Sequence, residues 1–179
     1  TLLPRLSKEK VLSITVPIIP ALFAISDRAV RATLLTALPT ITPTLMENMG
    51  GGESAKFINS KIFDPLCSGF TDSEPQLREI TLKSCLPLIE HLTAANLEKL
   101  ARYLVRLQGD PVPGIRTNTV IFIGKITPKL TPNGREKVTL PAFVRACRDP
   151  FVYERQAERM HRAKRGVRAK LTPPPPPPP

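Results

Sequence analysis

Four aspartate–arginine pairs supply the charged groups from which an acid–base site would have to be built. In each pair an Asp is followed after four or six residues by an Arg: Asp27/Arg31, Asp72/Arg78, Asp110/Arg116 and Asp149/Arg155. Acid–base catalysis needs groups that converge on one substrate, whereas these pairs recur along the whole chain. We therefore predict a structural role. Each Asp caps a helix, and each Arg reaches back across its own turn or along to the Asp of the neighbouring repeat, forming a ladder of charge pairs.

The other reactive side chains form no recognisable catalytic or metal-binding motif. Cys67, Cys85 and Cys147 show no CxxC or Cys/His ligand spacing, and His91 and His161 have no catalytic partner at a familiar interval. The sequence thus predicts no catalytic residue, no cofactor and no metal. Cys85 is expected to be a buried, reduced thiol, and the odd number of cysteines without a secretory signal predicts a cytoplasmic or nuclear protein.

A basic segment near the end of the chain is the candidate polyanion-binding site. The 179-residue chain has a net charge of +11, and seven of its cations follow one another closely: Arg155, Arg159, Arg162, Lys164, Arg165, Arg168 and Lys170. Such a cluster supports salt-sensitive binding to tRNA or to an anionic membrane surface. A solvated or artefactual tail is the alternative, which we favour because few aromatic residues accompany the charges. The terminal prolines, 173–179, are expected to form a disordered tail rather than a docking motif.

The arginines also mark the repeat of a helical fold. Counting from each of the first three arginines, apolar residues occupy offsets four, seven and fourteen, on one face of an α-helix: Leu35, Leu38, Leu45; Leu82, Cys85, Leu92; Val120, Ile123, Leu130. The interval between arginines is 38 to 47 residues, close to the roughly 40–47 of a HEAT or armadillo repeat. The sequence therefore predicts an all-α, HEAT/armadillo-like α-solenoid of about 3.5 helix-pair repeats.

The predicted helices alternate between an A helix and a B helix in each repeat. The fourth copy loses its apolar offsets, so the array is expected to cover residues 1–151 and the tail residues 152–179. Val11 to Ile25 is the most hydrophobic stretch, but its Pro17 and Pro20 favour a broken surface helix over a membrane span. The expected helices are Lys8–Phe23, Asp27–Met46, Glu53–Phe70, a helix from Pro75 through Leu92, one after Thr93, one opened by Arg116, and Gly134–Arg148.

Several short sequence segments resemble those of a known family, which the repeat period alone does not indicate. Over residues 1–151 the chain resembles the HEAT region of the Scy-like pseudokinases, the N-terminal kinase-like protein family. The resemblance rests on residues 22–31 (LFAISDRAVR), 70–79 (FTDSEPQLRE), 95–97 (ANL), 101–108 (ARYLVRLQ), 114–119 (GIRTNT), 124–126 (GKI) and 142–151 (AFVRACRDPF).

The resemblance implies a non-catalytic scaffold. Members of that family carry a degenerate kinase domain before a HEAT array, and the resemblance implies action in Golgi–ER vesicle traffic with the coatomer coat, so a cytoplasmic, Golgi-associated location is expected. Some members are implied to serve in tRNA export from the nucleus, which is the first alternative. A generic HEAT subunit of a phosphatase or transport receptor is the second. No kinase motif is present here, so the chain is expected to be a fragment that is not an enzyme.

Overall fold

The computed structural model describes residues 7–149, and every regular element in that range is helical. The predicted boundary between residues 151 and 152, Arg155 and the six other cations of the basic segment, His161 and the prolines 173–179 all lie outside the described residues. Within the described range no helix is both long and apolar enough to cross a membrane.

Seven helices, α1 to α7, follow one another along the described part of the chain. Several are made of consecutive α, π and 3-10 turns, and their bounds are as follows: α1, Lys8–Lys10, Val11–Thr15 and Val16–Phe23; α2, Arg28–Met49; α3, Gly51–Phe57, Ile58–Ile62, Phe63–Cys67 and Ser68–Thr71; α4, Pro75–Cys85 and Leu86–His91; α5, Ala94–Leu107; α6, Pro113–Ile126 and Thr127–Lys129; α7, Pro132–Gly134, Arg135–Thr139 and Leu140–Ala146.

The helices stack in two layers. Successive A helices, α1, α3, α5 and α7, pack on one another as the A layer, and α2, α4 and α6 pack on one another as the B layer. The first three A helices each also contact the B helix that follows. This confirms the predicted all-α HEAT-type solenoid, with three complete helix pairs and α7 as the half repeat. Each pair buries its apolar face against the next pair, which is the source of stability in such arrays.

Most of the nine apolar positions at the repeated offsets are buried, as predicted. Offsets four and seven lie in α-helix. Seven of the nine apolar positions are less than 5% exposed: Leu35, Leu38, Leu45, Leu82, Cys85, Ile123 and Leu130. Val120 and Leu92 are only partly buried.

In the second and third repeats the residue at offset fourteen lies beyond the helix and not on its apolar face. Leu92 and Leu130 each follow a 3-10 segment and have extended backbone. Pro87 and Pro128 explain the change, because each falls where the α-helix would continue and has no amide hydrogen for an i−4 carbonyl.

Prolines also explain the irregular A helices. In α1, α3 and α7 a five-residue π turn is followed within three residues by a proline, namely Pro17, Pro65 or Pro141. The wider turn accommodates a residue that cannot make the usual backbone bond. α5 contains no proline and is regular throughout. The helix expected to break at Pro17 and Pro20 is therefore continuous with Pro20 inside it, which corrects the prediction for that segment.

A proline in α2 is compensated from the neighbouring repeat. Pro39 lies inside α2 and has no N–H to donate to the carbonyl of Leu35. The hydroxyl of Ser84 in α4 lies 2.6 Å from that carbonyl oxygen, and 2.7 Å from the carbonyl of Ile80 in its own helix. Ser84 thus supplies the donor that Pro39 lacks, and the contact joins the first two B helices.

Replacing Ser84 with alanine should lower the free energy of unfolding by about 1–3 kcal/mol, because the buried Leu35 carbonyl would lose its donor. Chemical denaturation measures the effect. In a Pro39→Ala background the residue at position 39 can donate to Leu35 itself, so the same Ser84→Ala change should cost clearly less. Equal losses in the two backgrounds would show that Ser84 does not serve this carbonyl.

Candidate functional site

The aspartates and arginines form a charge ladder, by which we mean the pairs Arg31–Asp72, Arg78–Asp110 and Arg116–Asp149. Each arginine binds the aspartate of the following repeat. Arg78 donates to Asp110 from Nε (2.6 Å) and Nη2 (3.0 Å), and Arg116 donates to Asp149 from the same two atoms (2.6 and 3.2 Å). Such two-pronged pairs fix orientation as well as distance.

The first rung is looser. Arg31 Nη1 lies 3.5 Å from Asp72 Oδ2, and the arginine side chain is 24% exposed against 10% for Arg78. Arg155, the last of the predicted pairs, lies outside the described residues. Among the described positions the structure therefore joins Arg31, Arg78 and Arg116 to Asp72, Asp110 and Asp149, while Asp27 receives no arginine.

Arg78 and Arg116 also donate hydrogen bonds to the turn that precedes their own helix. Arg78 Nη1 donates to the carbonyls of Asp72 (2.8 Å) and Ser73 (3.1 Å). Arg116 Nη1 donates to the carbonyl of Asp110 (2.9 Å). The sequence predicted that each arginine contacts either its own turn or the Asp of the next repeat. In the structure one guanidinium group makes both contacts. The rungs of Arg78 and Arg116 therefore each tie a helix start to its own turn and to the next repeat.

The aspartates differ from the predicted caps in two of three repeats. Asp27 is the N-cap of α2, where its Oδ1 accepts from the Val30 amide at 2.9 Å. Asp72 and Asp110 instead lie two residues before the N-cap and accept from the amide of that N-cap residue, both at 2.9 Å. The shift arises because a proline, which favours the first helical position, starts each of these helices (Pro75, Pro113).

The middle rung is buried. Arg78 and Asp110 are 8% and 6% exposed. Burial acts to raise the pKa of Asp110, but the hydrogen bonds from Arg78 and from the Val112 amide, with the charges of Arg78 and Arg116, outweigh it and hold that pKa below its ordinary value of 3.8. The hydrogen bond to Asp110 likewise raises the pKa of Arg78. The rung is therefore ionised at neutral pH.

Acid should weaken the array through this rung. Since the folded pKa of Asp110 lies below its unfolded value, its contribution to stability is complete above the unfolded pKa and is lost as the pH falls through about 4 toward the folded pKa. Urea denaturation between pH 6 and 3 measures this. The stability gap between wild type and Asp110→Asn should narrow as the pH falls; two parallel curves would contradict the assignment.

A second network joins the repeats at the edge opposite the turns, and sequence reasoning missed it. Asn59 in α3 donates from Nδ2 to the carbonyls of Ala55 and His91, both at 2.7 Å, and accepts at Oδ1 from the Thr93 amide (2.9 Å) and from Asn96 Nδ2 (2.8 Å). Every polar atom of the Asn59 amide thus has a partner. The available signal was the 37-residue interval between the two asparagines, close to the repeat period.

The A layer presents a basic surface. Lys99, Arg102, Tyr103 and Arg106 of α5 line a depression of about 260 Å³. A second depression of about 270 Å³ lies between α5, α6 and α7; it is lined by Arg106 and Arg145 and also by the Arg116–Asp149 rung. Both depressions are of side-chain size, and Arg106 borders both.

The B layer presents an apolar groove between α4 and α6. It has a volume of about 170 Å³, and its walls are Leu82, Leu86, Ile121 and Phe122, with lysines at the rim. Ile121 is 55% exposed. The two layers thus offer surfaces of different character, one cationic and one apolar, and both suit binding rather than catalysis.

Comparison with known proteins assigns the chain to a family. No protein-family model matches it. It is 36% identical over 153 residues to the probable inactive serine/threonine-protein kinase scy1 of Dictyostelium discoideum, a match covering 86% of this chain and 18% of that relative. The chain belongs to the Scy1-like pseudokinase family. A second relative, 36% identical over 83 residues, is the protein kinase domain-containing protein ppk3 of Schizosaccharomyces pombe; this match covers 43% of this chain and 13% of the relative.

A solved structure supports both the family and the fold. The Scy1-like chain superposes on the crystal structure of Cex1p with a TM-score of 0.65 and 34% identity, over 75% of this chain and 25% of that one. The chain spans less than a fifth of the length of each of the two curated relatives named above. The part of the Scy1-like protein represented here is its HEAT region, which is non-catalytic, and the relative it matches most extensively among these is named as an inactive kinase.

The cysteines and the histidine described in this Scy1-like HEAT region occupy structural positions. Cys67 and Cys85 are buried and free. Burial raises the pKa of Cys67 to about 12 and that of Cys85 well above its ordinary value, so both thiols stay protonated. His91 contributes its backbone carbonyl to the Asn59 network. Among residues 7–149 no three His, Cys, Asp or Glu side chains are grouped as a metal site would require.

Proposed function

We propose that this HEAT array is the protein-interaction segment of a pseudokinase scaffold that acts in Golgi–ER vesicle traffic, with coatomer or other trafficking factors as partners. The observation that carries the proposal is membership of the Scy1-like family through a match along 86% of the chain. The scaffold role agrees with the architecture, because stacked repeats present long continuous surfaces to partners. A cytoplasmic location with attachment to the Golgi follows from the same proposal.

Charge ladders support such a role physically. A scaffold must hold partner-binding surfaces in a constant relative position, and bidentate pairs between successive repeats fix the register of α4, α6 and α7. The basic and apolar surfaces of the two layers then lie at defined distances from each other. A partner that contacts several repeats would recognise this spacing as well as the local side chains.

Affinity purification of the full chain from cells tests the proposal. Recovery of stoichiometric coatomer subunits, and localisation of the tagged chain to Golgi membranes, are the expected results. A matched control is a chain with Arg78→Ala and Asp110→Ala, in which the register of the repeats is disturbed. If neither coatomer nor another coat component is enriched over an unrelated HEAT protein, the trafficking role is wrong.

A second candidate is an adaptor for tRNA export, and the positive charge of the chain is the observation behind it. The net charge is +11, and seven cations cluster between Arg155 and Lys170. Non-specific phosphate binding by such a cluster falls steeply with salt. Recovery of tRNA with nuclear export factors, without coatomer, would support this candidate. Truncating the chain after Asp149 should then abolish tRNA recovery, and unchanged recovery would exclude the basic segment as the binding site.

A further inference from the structure

Three cations lie along one side of α5. Lys99, Arg102 and Arg106 are three and four residues apart, a spacing that places them on one helix surface. Arg102 and Arg106 are exposed. Lys99 donates to Asp64 of α3 at 2.6 Å, so its charge is matched, while the other two point to solvent beside it.

The cations of this surface have few carboxylates to neutralise them. Within residues 7–149 neither Arg102 nor Arg106 makes a salt bridge, and the guanidinium of Arg145 in α7 donates to the neutral Gln108 amide, at 3.4 Å. The nearby carboxylates each have another partner: Asp64 binds Lys99, Asp149 binds Arg116, and Glu98, one turn before Arg102, accepts from the Thr131 hydroxyl. A run of unmatched positive charge therefore remains along α5 and across to α7.

The surface is concave at two adjoining places. The depressions of about 260 and 270 Å³ share Arg106 as a common wall, and Arg145 borders the second. Each is large enough for one side chain of a bound segment. The order of the cations is thus Arg102, Arg106 and Arg145, passing from the third repeat to the fourth.

The spacing matches an extended polypeptide. Arg102 and Arg106 are one helical turn apart, about 6 Å along the helix axis. Alternate residues of an extended chain point the same way and are about 6.7 Å apart. An extended segment lying along α5 with acidic residues at alternate positions therefore brings successive carboxylates to successive arginines, where each forms a charge-assisted hydrogen bond.

Single-stranded nucleic acid fits this surface less well. Binding of RNA single strands depends on aromatic side chains on which bases stack. Tyr103 is the one aromatic residue that lines either depression, and it is packed against Phe70, with ring centroids 5.8 Å apart. Its ring is half-buried and already occupied. The surface thus offers charge without a stacking platform.

We infer that the α5–α7 surface, defined by Arg102, Arg106 and Arg145, is a docking site for an extended acidic segment of a partner protein that carries carboxylates at alternate positions. This inference rests on the protein-scaffold part of the proposed function and on neither the Golgi role nor the export role. It assigns a partner chemistry to a surface that borders the Arg116–Asp149 rung of the charge ladder and does not involve the basic segment.

Binding of defined peptides to the full chain tests the inference. The probe is a fluorescein-labelled twelve-residue peptide of alternating Glu and Ser, compared with alternating Gln and Ser and with a single-stranded RNA of the same net charge. Fluorescence anisotropy at two salt concentrations gives the affinities. The variant Arg102→Glu/Arg106→Glu reverses the charge of the surface at these two positions. Lys8→Glu/Lys10→Glu makes the same change in charge on exposed residues of α1 and is the matched control.

The acidic peptide should bind the wild type in a salt-sensitive manner and the neutral peptide should not. Reversal of Arg102 and Arg106 should weaken binding at least tenfold, while the control double variant should change it less than threefold. A photoreactive group at the centre of the peptide should crosslink to α5 or α7. Circular dichroism shows that each variant is folded.

Three results would overturn the inference: no acidic-peptide binding, equal loss in the two double variants, or crosslinks confined to residues 152–179. Tighter binding of the RNA with the same dependence on Arg102 and Arg106 would assign the surface to nucleic acid instead. Failure to recover coatomer from cells, with peptide binding intact, would reject the trafficking role and leave the docking surface in place.

Discussion

Replacing Asp110 with alanine should lower the free energy of unfolding by about 3–5 kcal/mol, the range expected when one partner of a buried ion pair is removed. The guanidinium of Arg78 would remain 8% exposed without its carboxylate, and the Val112 amide would lose its acceptor. The loss should appear as a lower urea midpoint. Because α4 and α6 meet at this rung, separation of the two repeats is also expected to make the transition less cooperative.

A surface pair between neighbouring A helices provides the matched control. Asp64 and Lys99 lie 2.6 Å apart across α3 and α5, but their side chains are 67% and 41% exposed. Asp64→Ala should therefore cost only about 0–1 kcal/mol. If the two aspartate variants lost equal stability, burial would not be what distinguishes the ladder. Removing both partners, as in Arg78→Met/Asp110→Leu, should recover much of the loss, since an apolar pair leaves no uncompensated charge.

Replacing Phe63 with alanine should be comparably severe, lowering the free energy of unfolding by about 3–5 kcal/mol. Phe63 is among the largest fully buried side chains, at 1% exposure. It lies in α3, which packs on α1, α4 and α5, and therefore at the junction of three repeats. The neighbouring helices cannot all move inward to fill the space, because α3 is held on several sides.

A graded series separates this cavity effect from a general loss of packing. Phe63→Leu removes less volume and should cost clearly less than the alanine variant. Ile121→Ala changes a side chain that is 55% exposed and should lie within about 0.5 kcal/mol of wild type. Differential scanning calorimetry compares all three. A Phe63→Ala protein as stable as Ile121→Ala would mean that the core around α3 is not closely packed.

The parts of the fold that follow from charge spacing and apolar period were predictable. Arg31, Arg78 and Arg116 each open an apolar stripe, and the period between them gave the helix pairs and the all-α solenoid. Burial at Leu35, Leu38 and Cys85 follows from the same stripe. These features depend on local sequence and on repetition, which a single chain displays directly.

Features that depend on two repeats at once were not predictable in the same way. Ser84 compensates Pro39 from another helix, and Asn59 meets Asn96 across the stack; neither residue carries a local pattern. Near Pro17 and Pro65 the helix continues through a π turn that accommodates the proline, whereas helix propensity alone predicts a break. The basic surface on α5 escaped notice because Arg145, its partner from α7, is 39 residues from Arg106.

The ladder has a consequence for the curvature of the solenoid. All three rungs lie at the turns inside the repeats, on one edge of the array. The Arg78–Asp110 and Arg116–Asp149 rungs set the distance between successive turns through short hydrogen bonds. That edge therefore resists extension. Any tightening or straightening of the superhelix must change the spacing at the other edge, where the chain passes between repeats at Gly50, whose φ of 79° favours glycine. The Asn59 network also ties the loop edge between the second and third repeats. We therefore expect the junction at Gly50, between the first two repeats, to be where the array bends most easily around a partner.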